Sequence, residues 1–394
     1  MKHCQFFFTT IALILFSQVS TAQDRVAPGD PNVSLMLEIE RAIEKGVAWL
    51  ESKQDKETGA WGDTNTPAFT AIATSAIMGN PKREEMPDSA KKAYDFLVSK
   101  QKADGGIYGK GLATYNTALS VTALSQSGRK EHLPVIAKAR RLLINQQQDF
   151  DKRGETDNDF DGGIGYGGTY AHSDLSNSHL AMEALYHSKK VLADTEFDET
   201  ADFDLDWDAA IEFVSRCQNT EETAKKMGDW MAIREEDKGG FIYFPGDTKS
   251  DEIEIKGEDG KTRTALRSYG SMGYAGMLAF IYADMDINDP RIQLALNWLQ
   301  NNYTLEENPG MDAQGLFYYY HTMSKALSIA RIKELKMPDG KSVDWKRQLA
   351  LKVMAHQKPE GYWVNTESNR WMEDDQILVT AYALLTLEHI YHSL

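Results

Sequence analysis

The sequence predicts an all-α protein: six helix pairs closed into a ring, the architecture called an α/α toroid or six-hairpin α/α barrel. Three observations carry that expectation. A helix-and-turn block recurs along the chain, the first helix of each block has an apolar stripe at three- and four-residue steps, and the second helix is apolar on all sides. A unit repeated in this way buries its apolar face only by stacking on its neighbours, so one continuous core is expected rather than several domains.

The chain of 394 residues opens with Met1-Lys2-His3, an apolar stretch from Phe6 to Phe16, and Ser20-Thr21-Ala22 ahead of Gln23. A basic start, a short apolar core and small residues at a cleavage point are the pattern of an export signal over 1–22, removed near Ala22. The expected location is periplasmic or extracellular. A short linker over 23–34 then leads into a single domain over 35–394. No segment approaches the roughly 20 uninterrupted apolar residues that a membrane span needs. Cys4 leaves with the signal, so Cys217 stays alone and no internal disulfide is expected. Cys217 lies in the helical stretch Ile211-Glu-Phe-Val-Ser-Arg-Cys-Gln and reads as a packed thiol. A formal net charge of −16 repels phosphate backbones and argues against a nucleic-acid partner.

The blocks follow in order. Trp49-Leu50 leads to Gln54 and Gly59-Ala-Trp61, and Phe96-Leu97 leads to Gln101 and Gly105-Gly106-Ile-Tyr108. Leu142-Leu143 leads to Gln147 and Gly162-Gly163, and Phe213-Val214 to Gln218 and Gly239-Gly240-Phe241. Trp298-Leu299-Gln300 with Gly315-Leu-Phe317 makes a fifth block, and Val353-Met354 with Gln357 and Gly361-Tyr-Trp363 a sixth. In the first helix Ile39, Ile43, Val47 and Leu50 share one face, which is the outer-ring pattern. The glycines supply positive φ at the helix stop, and the Gln amide can bond exposed backbone groups. The inner helices are expected near Phe69 to Met78, Thr117 to Ser125, Leu175 to His187, Tyr269 to Ala283, Thr322 to Ala330 and Gln376 to Tyr391.

Lys/Arg-x-x-x-aromatic-aliphatic-x-x-x-Gln followed by Gly-x-Trp resembles the Gln-Trp repeat of squalene and oxidosqualene cyclases and of prenyltransferase β subunits, from about Leu35 to the C-terminus. That resemblance implies a terpene cyclase or prenyltransferase type of enzyme with an apolar or isoprenoid ligand in the centre of the ring. A fold of this kind hosts many activities, so the site must decide. The alternatives are a non-catalytic ligand-binding or scaffold toroid and an extracellular polysaccharide-active enzyme.

Such a ring gathers its inner-helix N-termini at one mouth, where free N–H groups and partial positive charge collect. The candidate ligand-binding residues there are Tyr115, Asp174, Asn177, Tyr269, Tyr274, Tyr319, Tyr320 and Trp371. Trp371-Met-Glu373-Asp374-Asp375-Gln resembles the acidic motif of squalene-type cyclases, with Met372 and Gln376 departing from it. The resemblance makes Asp374 the proton donor, with Glu373 and Asp375 beside it, because clustered carboxylates keep a proton. The same acids could instead cap a helix. Tyr318-Tyr-Tyr-His321-Thr322 resembles the segment in which prenyltransferase β subunits place a zinc-binding His, making His321 a further catalytic candidate and a candidate zinc ligand. The Asp and Cys partners of that site are missing, so no metal and no cofactor is expected.

Overall fold

A computed structural model describes residues 31–168 and 172–394. The export signal expected at 1–22 and most of the 23–34 linker lie outside the described residues. The helices run α1 (Val33–Lys53), α2 (Pro67–Gly79), α3 (Asp88–Ser99), α4 (Ala113–Ser125), α5 (Leu133–Asn145), α6 (Leu175–Leu192), α7 (Trp207–Arg216), α8 (Glu221–Met227), α9 (Gly270–Tyr282), α10 (Pro290–Asn301), α11 (Leu316–Ile329), α12 (Trp345–Ala355) and α13 (Gln376–Tyr391). The first helix therefore takes in the end of the expected linker. Among the described residues no helix is long and apolar enough to cross a membrane.

α1, α3, α5, α7, α10 and α12 form the outer layer. α1 buries Leu35, Ile39, Ile43, Val47 and Leu50 along one stripe, while the rest of its surface stays polar. α2 and α9 are buried over nearly every residue, as helices apolar on all sides must be. The inner helices pack in sequence, α2 on α4, α4 on α6, α6 on α9, α9 on α11 and α11 on α13, and α13 returns to α2. The inner ring is closed.

Closure is stitched by the glutamines. Gln54 Nε2 donates to the Gly59 carbonyl at 2.8 Å and to Ser89 at 2.7 Å, so one amide ties its own turn to the next outer helix. Gln101, Gln147 and Gln218 repeat this with Val135, Asp206 and Arg291. Gln357 donates to Gly361 and to Ala42 of α1, both at 2.9 Å, which joins the last repeat to the first. The fifth repeat departs from the expected Gln300. Tyr303 holds the equivalent place, four residues after Leu299, and its hydroxyl donates to Gln348 of α12 at 3.0 Å.

The turn glycines answer two demands at once. Gly162 has φ +80°, and a Cβ there would sit 2.0 Å from the Ala209 carbonyl oxygen of α7. Only glycine allows both that conformation and that close approach.

Two short hairpins break the all-helical expectation. β1 (Glu252–Lys256) pairs antiparallel with β2 (Thr262–Leu266), and β3 (Leu335–Lys336) with β4 (Ser342–Val343). The first lies in the long connection between α8 and α9, where Ser250 donates to the Gly310 carbonyl and Lys249 reaches the mouth of the ring.

Candidate functional site

The inner helices enclose an axial cavity of about 720 Å³ that extends from their N-terminal ends toward their C-terminal ends. Its wall is largely apolar, with Phe69, Ile72, Leu119, Leu180, Met272 and Leu378 among the lining side chains. Tyr115, Tyr166, Tyr243, Tyr269 and Trp371 form an aromatic rim at the N-terminal mouth. Volume and lining match a small-molecule site, typically about 300–1,000 Å³ and mostly apolar with a few placed polar groups.

The cavity takes in only part of the expected site. Tyr115, Tyr269, Trp371, Glu373 and His321 line it. Tyr274, Tyr319 and Tyr320 are fully buried elsewhere: the Tyr319 hydroxyl donates to Thr304 at 3.0 Å, the Tyr320 hydroxyl donates to Leu305, and the Tyr274 ring lies 5.8 Å from that of Tyr319. The helical period explains the split. On α11 the cavity-lining residues are Tyr318, His321, Thr322, Lys325, Ser328 and Ile329, one stripe at steps of three and four, which turns Tyr319 and Tyr320 away.

Asp174 and Asn177 are buried but serve α6 itself. Asp174 is its N-cap, accepting from Asn177 N at 2.8 Å and from the Asn177 amide at 2.9 Å. Burial pushes the Asp174 carboxyl up to about 6.

The three acids of the last repeat have three different fates. Asp375 caps α13, accepting from Ile377 N at 2.8 Å and Leu378 N at 2.9 Å. Asp374 is exposed in a separate surface depression beside Asn365 and Glu367, outside the axial cavity. Glu373 is 1% exposed and caps the neighbouring helix rather than its own. It accepts from Tyr318 N on α11 and from Asn365 Nδ2, both at 2.8 Å. α11 starts from Gly315 with no side-chain cap of its own, so this carboxylate serves N–H groups that would otherwise lack a partner. Burial pushes Glu373 up to about 7 against the pull of those hydrogen bonds. Beside it, Trp371 and Met372 have φ of +56° and +64°, rare for residues with side chains.

Half-way along the cavity is a polar band of which the motif resemblances indicated only His321. Lys325 of α11 donates to Glu183 of α6 in a buried ion pair. His179 and His187 stand one turn either side of Glu183, and His187 Nε2 is 3.9 Å from its Oε1. His179 Nδ1 donates to the Ser176 carbonyl at 2.9 Å. His321 stacks on Tyr382 at 5.5 Å and on His389 at 5.6 Å. Burial holds His179 and His187 down to about 4 and His389 to about 3, with the Lys325 charge adding to the effect. The same causes put His321 well below its ordinary value. Burial also pushes Glu388, deeper on α13, well above the usual carboxylate range. The signal available in sequence was the spacing of His179, Glu183 and His187, and of His321 and Lys325, each at four-residue steps.

The donor set does not fit a zinc site at His321. Among the described residues no three His, Cys, Asp or Glu side chains converge as metal ligands. Cys217 is buried, and burial pushes its thiol well up. Of the acidic loop Asp157 to Asp161, Asp161 is itself buried and orders the loop by accepting from Phe150 N at 2.7 Å and Asn158 N at 2.8 Å.

No family model and no curated protein matches the chain. Solved structures do. The type II terpene cyclase MstE from Scytonema superposes with a TM-score of 0.55 at 12% identity, over 91% of this chain and 99% of that one. The fold is an α/α toroid. A variant of the same cyclase in complex with geranylgeranyl dihydroxybenzoate gives 0.52 at 12% identity, with the same coverage. An inactive variant of the alpha-1,6-mannanase GH76A of Salegentibacter sp. HEL1_6, in complex with alpha-1,6-mannotriose, gives 0.55 at 9% identity, over 90% of this chain and all of that one. At these identities the likeness establishes the toroid and leaves its chemistry to the residues.

Proposed function

We propose that this toroid binds an extended, mainly apolar molecule of the isoprenoid class in its axial cavity. The observation that carries the reading is the cavity of about 720 Å³, walled by apolar side chains of the inner helices and rimmed by aromatic residues at one mouth. The cyclase neighbour, which holds a geranylgeranyl compound on the same fold, adds a precedent. The export signal read from residues 1–22 would place this binding outside the cytoplasm. The mannanase gives the polysaccharide alternative a precedent in fold; against it, most of the cavity's surface is apolar and Glu183 is already tied to Lys325.

Leu119 projects into the cavity from α4. Leu119→Trp is expected to fill part of that space and weaken binding of geranylgeraniol at least about tenfold, roughly the loss of two buried methylene groups. Quenching of tryptophan fluorescence during titration reads this out. Absence of saturable binding by the wild-type protein, or equal binding by the variant, would sink the proposal.

A second reading, that the bound ligand is also protonated, is favoured by Glu373. Glu373 lines the cavity, and burial pushes its carboxyl up to about 7, the range in which a side chain both holds and gives up a proton at neutral pH. Incubation with geranylgeraniol and extraction of products tests it. Glu373→Gln is expected to abolish any product while keeping the cap on α11, and Asp374→Asn to leave the rate unchanged. Product formation that survives Glu373→Gln rules this acid out.

A further inference from the structure

The polar band half-way along the cavity calls for a partner that the fold does not supply. His321 Nδ1 and His389 Nε2 are both buried without a hydrogen-bond partner among the described residues. Leaving such atoms unmade costs about 1–3 kcal/mol each. Both side chains line the cavity, and their ring centroids are 5.6 Å apart. A hydroxyl oxygen that bonds both nitrogens at about 2.8 Å, with a roughly tetrahedral angle between the two bonds, holds them about 4.6 Å apart, a spacing within reach of two imidazoles whose centroids are 5.6 Å apart. A neutral imidazole carries one donor and one acceptor nitrogen, so a pair of them can both give to and take from a single hydroxyl.

The charges around the pair select the kind of group. Facing it are Lys325, which shares α11 with His321, Glu183 and His179 of α6, and His392, which follows α13. Lys325 and Glu183 neutralise each other in a direct ion pair. An ionised head group would enter this buried region without a counter-charge of its own, which costs several kcal/mol. An uncharged hydroxyl brings one donor and two acceptor sites and needs no counter-ion.

We propose that the His321 and His389 pair, backed by the Lys325 and Glu183 ion pair, is the seat for an uncharged hydroxyl group on the ligand. The inference rests on the binding function proposed above and deepens it: the ligand is an alcohol, anchored at mid-depth, whose apolar body lies toward the aromatic rim. The rim and the anchor then divide the work, as a few polar groups in an apolar pocket do, the wall supplying affinity and the anchor supplying orientation.

Three probes sharing one carbon chain test it on the whole protein: geranylgeraniol, its hydrocarbon analogue lacking the hydroxyl, and geranylgeranoic acid. The wild-type protein is expected to bind the alcohol at least about tenfold more tightly than the hydrocarbon and more tightly than the acid. His321→Phe and His389→Leu are each expected to bring the affinities for alcohol and hydrocarbon to within about twofold of one another. Equal wild-type affinity for alcohol and hydrocarbon overturns the hydroxyl seat, since water would then serve the two imidazoles equally well. Tighter binding of the acid overturns the choice of an uncharged group. If none of the three binds, the binding function itself has failed, and the anchor with it. The comparison on the wild-type protein decides without the variants should either fail to fold.

Discussion

Lys325→Met is expected to destabilise the folded ring by about 3–5 kcal/mol, enough to remove a large part of the stability of an ordinary domain. The reason lies on the opposite wall. Glu183 has 4% of its side chain exposed and meets Lys325 as its direct cationic partner. Met matches the length of the Lys stem and keeps its packing, so the loss isolates the uncompensated carboxylate. Replacing both partners, Glu183→Leu with Lys325→Met, is expected to recover most of the stability, because two apolar side chains leave no buried charge. Denaturant unfolding of the four proteins in the cycle gives the coupling directly. The single variant should recover part of its loss below neutral pH, where His187, 3.9 Å from the same carboxylate, can take up a proton in place of Lys325. A single variant within about 1 kcal/mol of wild type would mean that water reaches Glu183.

Acid is expected to start destabilising the protein below pH 6.5, before its exposed carboxylates titrate. His179 and His187 are held at about 4 and His389 at about 3 by burial, all below their ordinary value of 6.5. A depressed imidazole contributes stability that is fully present above 6.5. As pH falls through that value the unfolded chain takes up a proton that the folded chain refuses, and stability drops until the folded pKa is reached. Four carboxyls act in the opposite sense over the same window, because burial on folding raises them: Asp174 to about 6, Glu373 to about 7, Asp237, and Glu388 further still. With His321, and with His132 and His356, which burial also lowers, the imidazoles outnumber them, so a shallow decline is expected from pH 6.5. It steepens below about 4.5, where the unfolded carboxyls also fill. Above pH 7 the raised Glu388 makes stability fall again, which puts the optimum near neutrality. Thermal melts from pH 4 to 8 would show the curve. In a difference measurement, His179→Leu should remove on the order of 2–3 kcal/mol of the change between pH 6.5 and 4. A variant whose melting temperature runs parallel to wild type across that range would show that His179 titrates normally.

Much of the ring was legible because its signals are local. A glycine that ends a helix, an amide that bonds the turn and an apolar stripe at helical spacing all act within a few residues, so six copies stand out along the chain. The fifth copy shows where a letter-by-letter reading slips. Gln300 has the expected side chain one turn too early, while Tyr303 occupies the working position and reaches α12 with its hydroxyl. The helix boundaries were less even: α13 starts at the expected Gln376, whereas α11 starts at Leu316, six residues ahead of the expected Thr322.

The site was less legible for two separate reasons. Tyr319 and Tyr320 were candidates because aromatics crowd the start of α11, yet the helical period turns them outward and brings Tyr318 and Lys325 in. That information was present in the spacing. Glu373 is different. It sits 55 positions from the N–H group it caps, and nothing near it in sequence distinguishes it from Asp374, which ends at the surface, or from Asp375, which caps its own helix.

The amino-acid sequence by itself therefore determined the ring of repeated helix pairs, the division into inner and outer layers and the turn residues of every repeat but the fifth, because each depends on backbone conformation and burial within one short unit. Only the tertiary structure decided which polar side chains share the cavity. Glu183 meets Lys325 across 142 positions, and His321 meets His389 on a different helix. Such contacts depend on how each inner helix is rotated about its own axis when the ring closes, and packing of all six helices together sets that rotation.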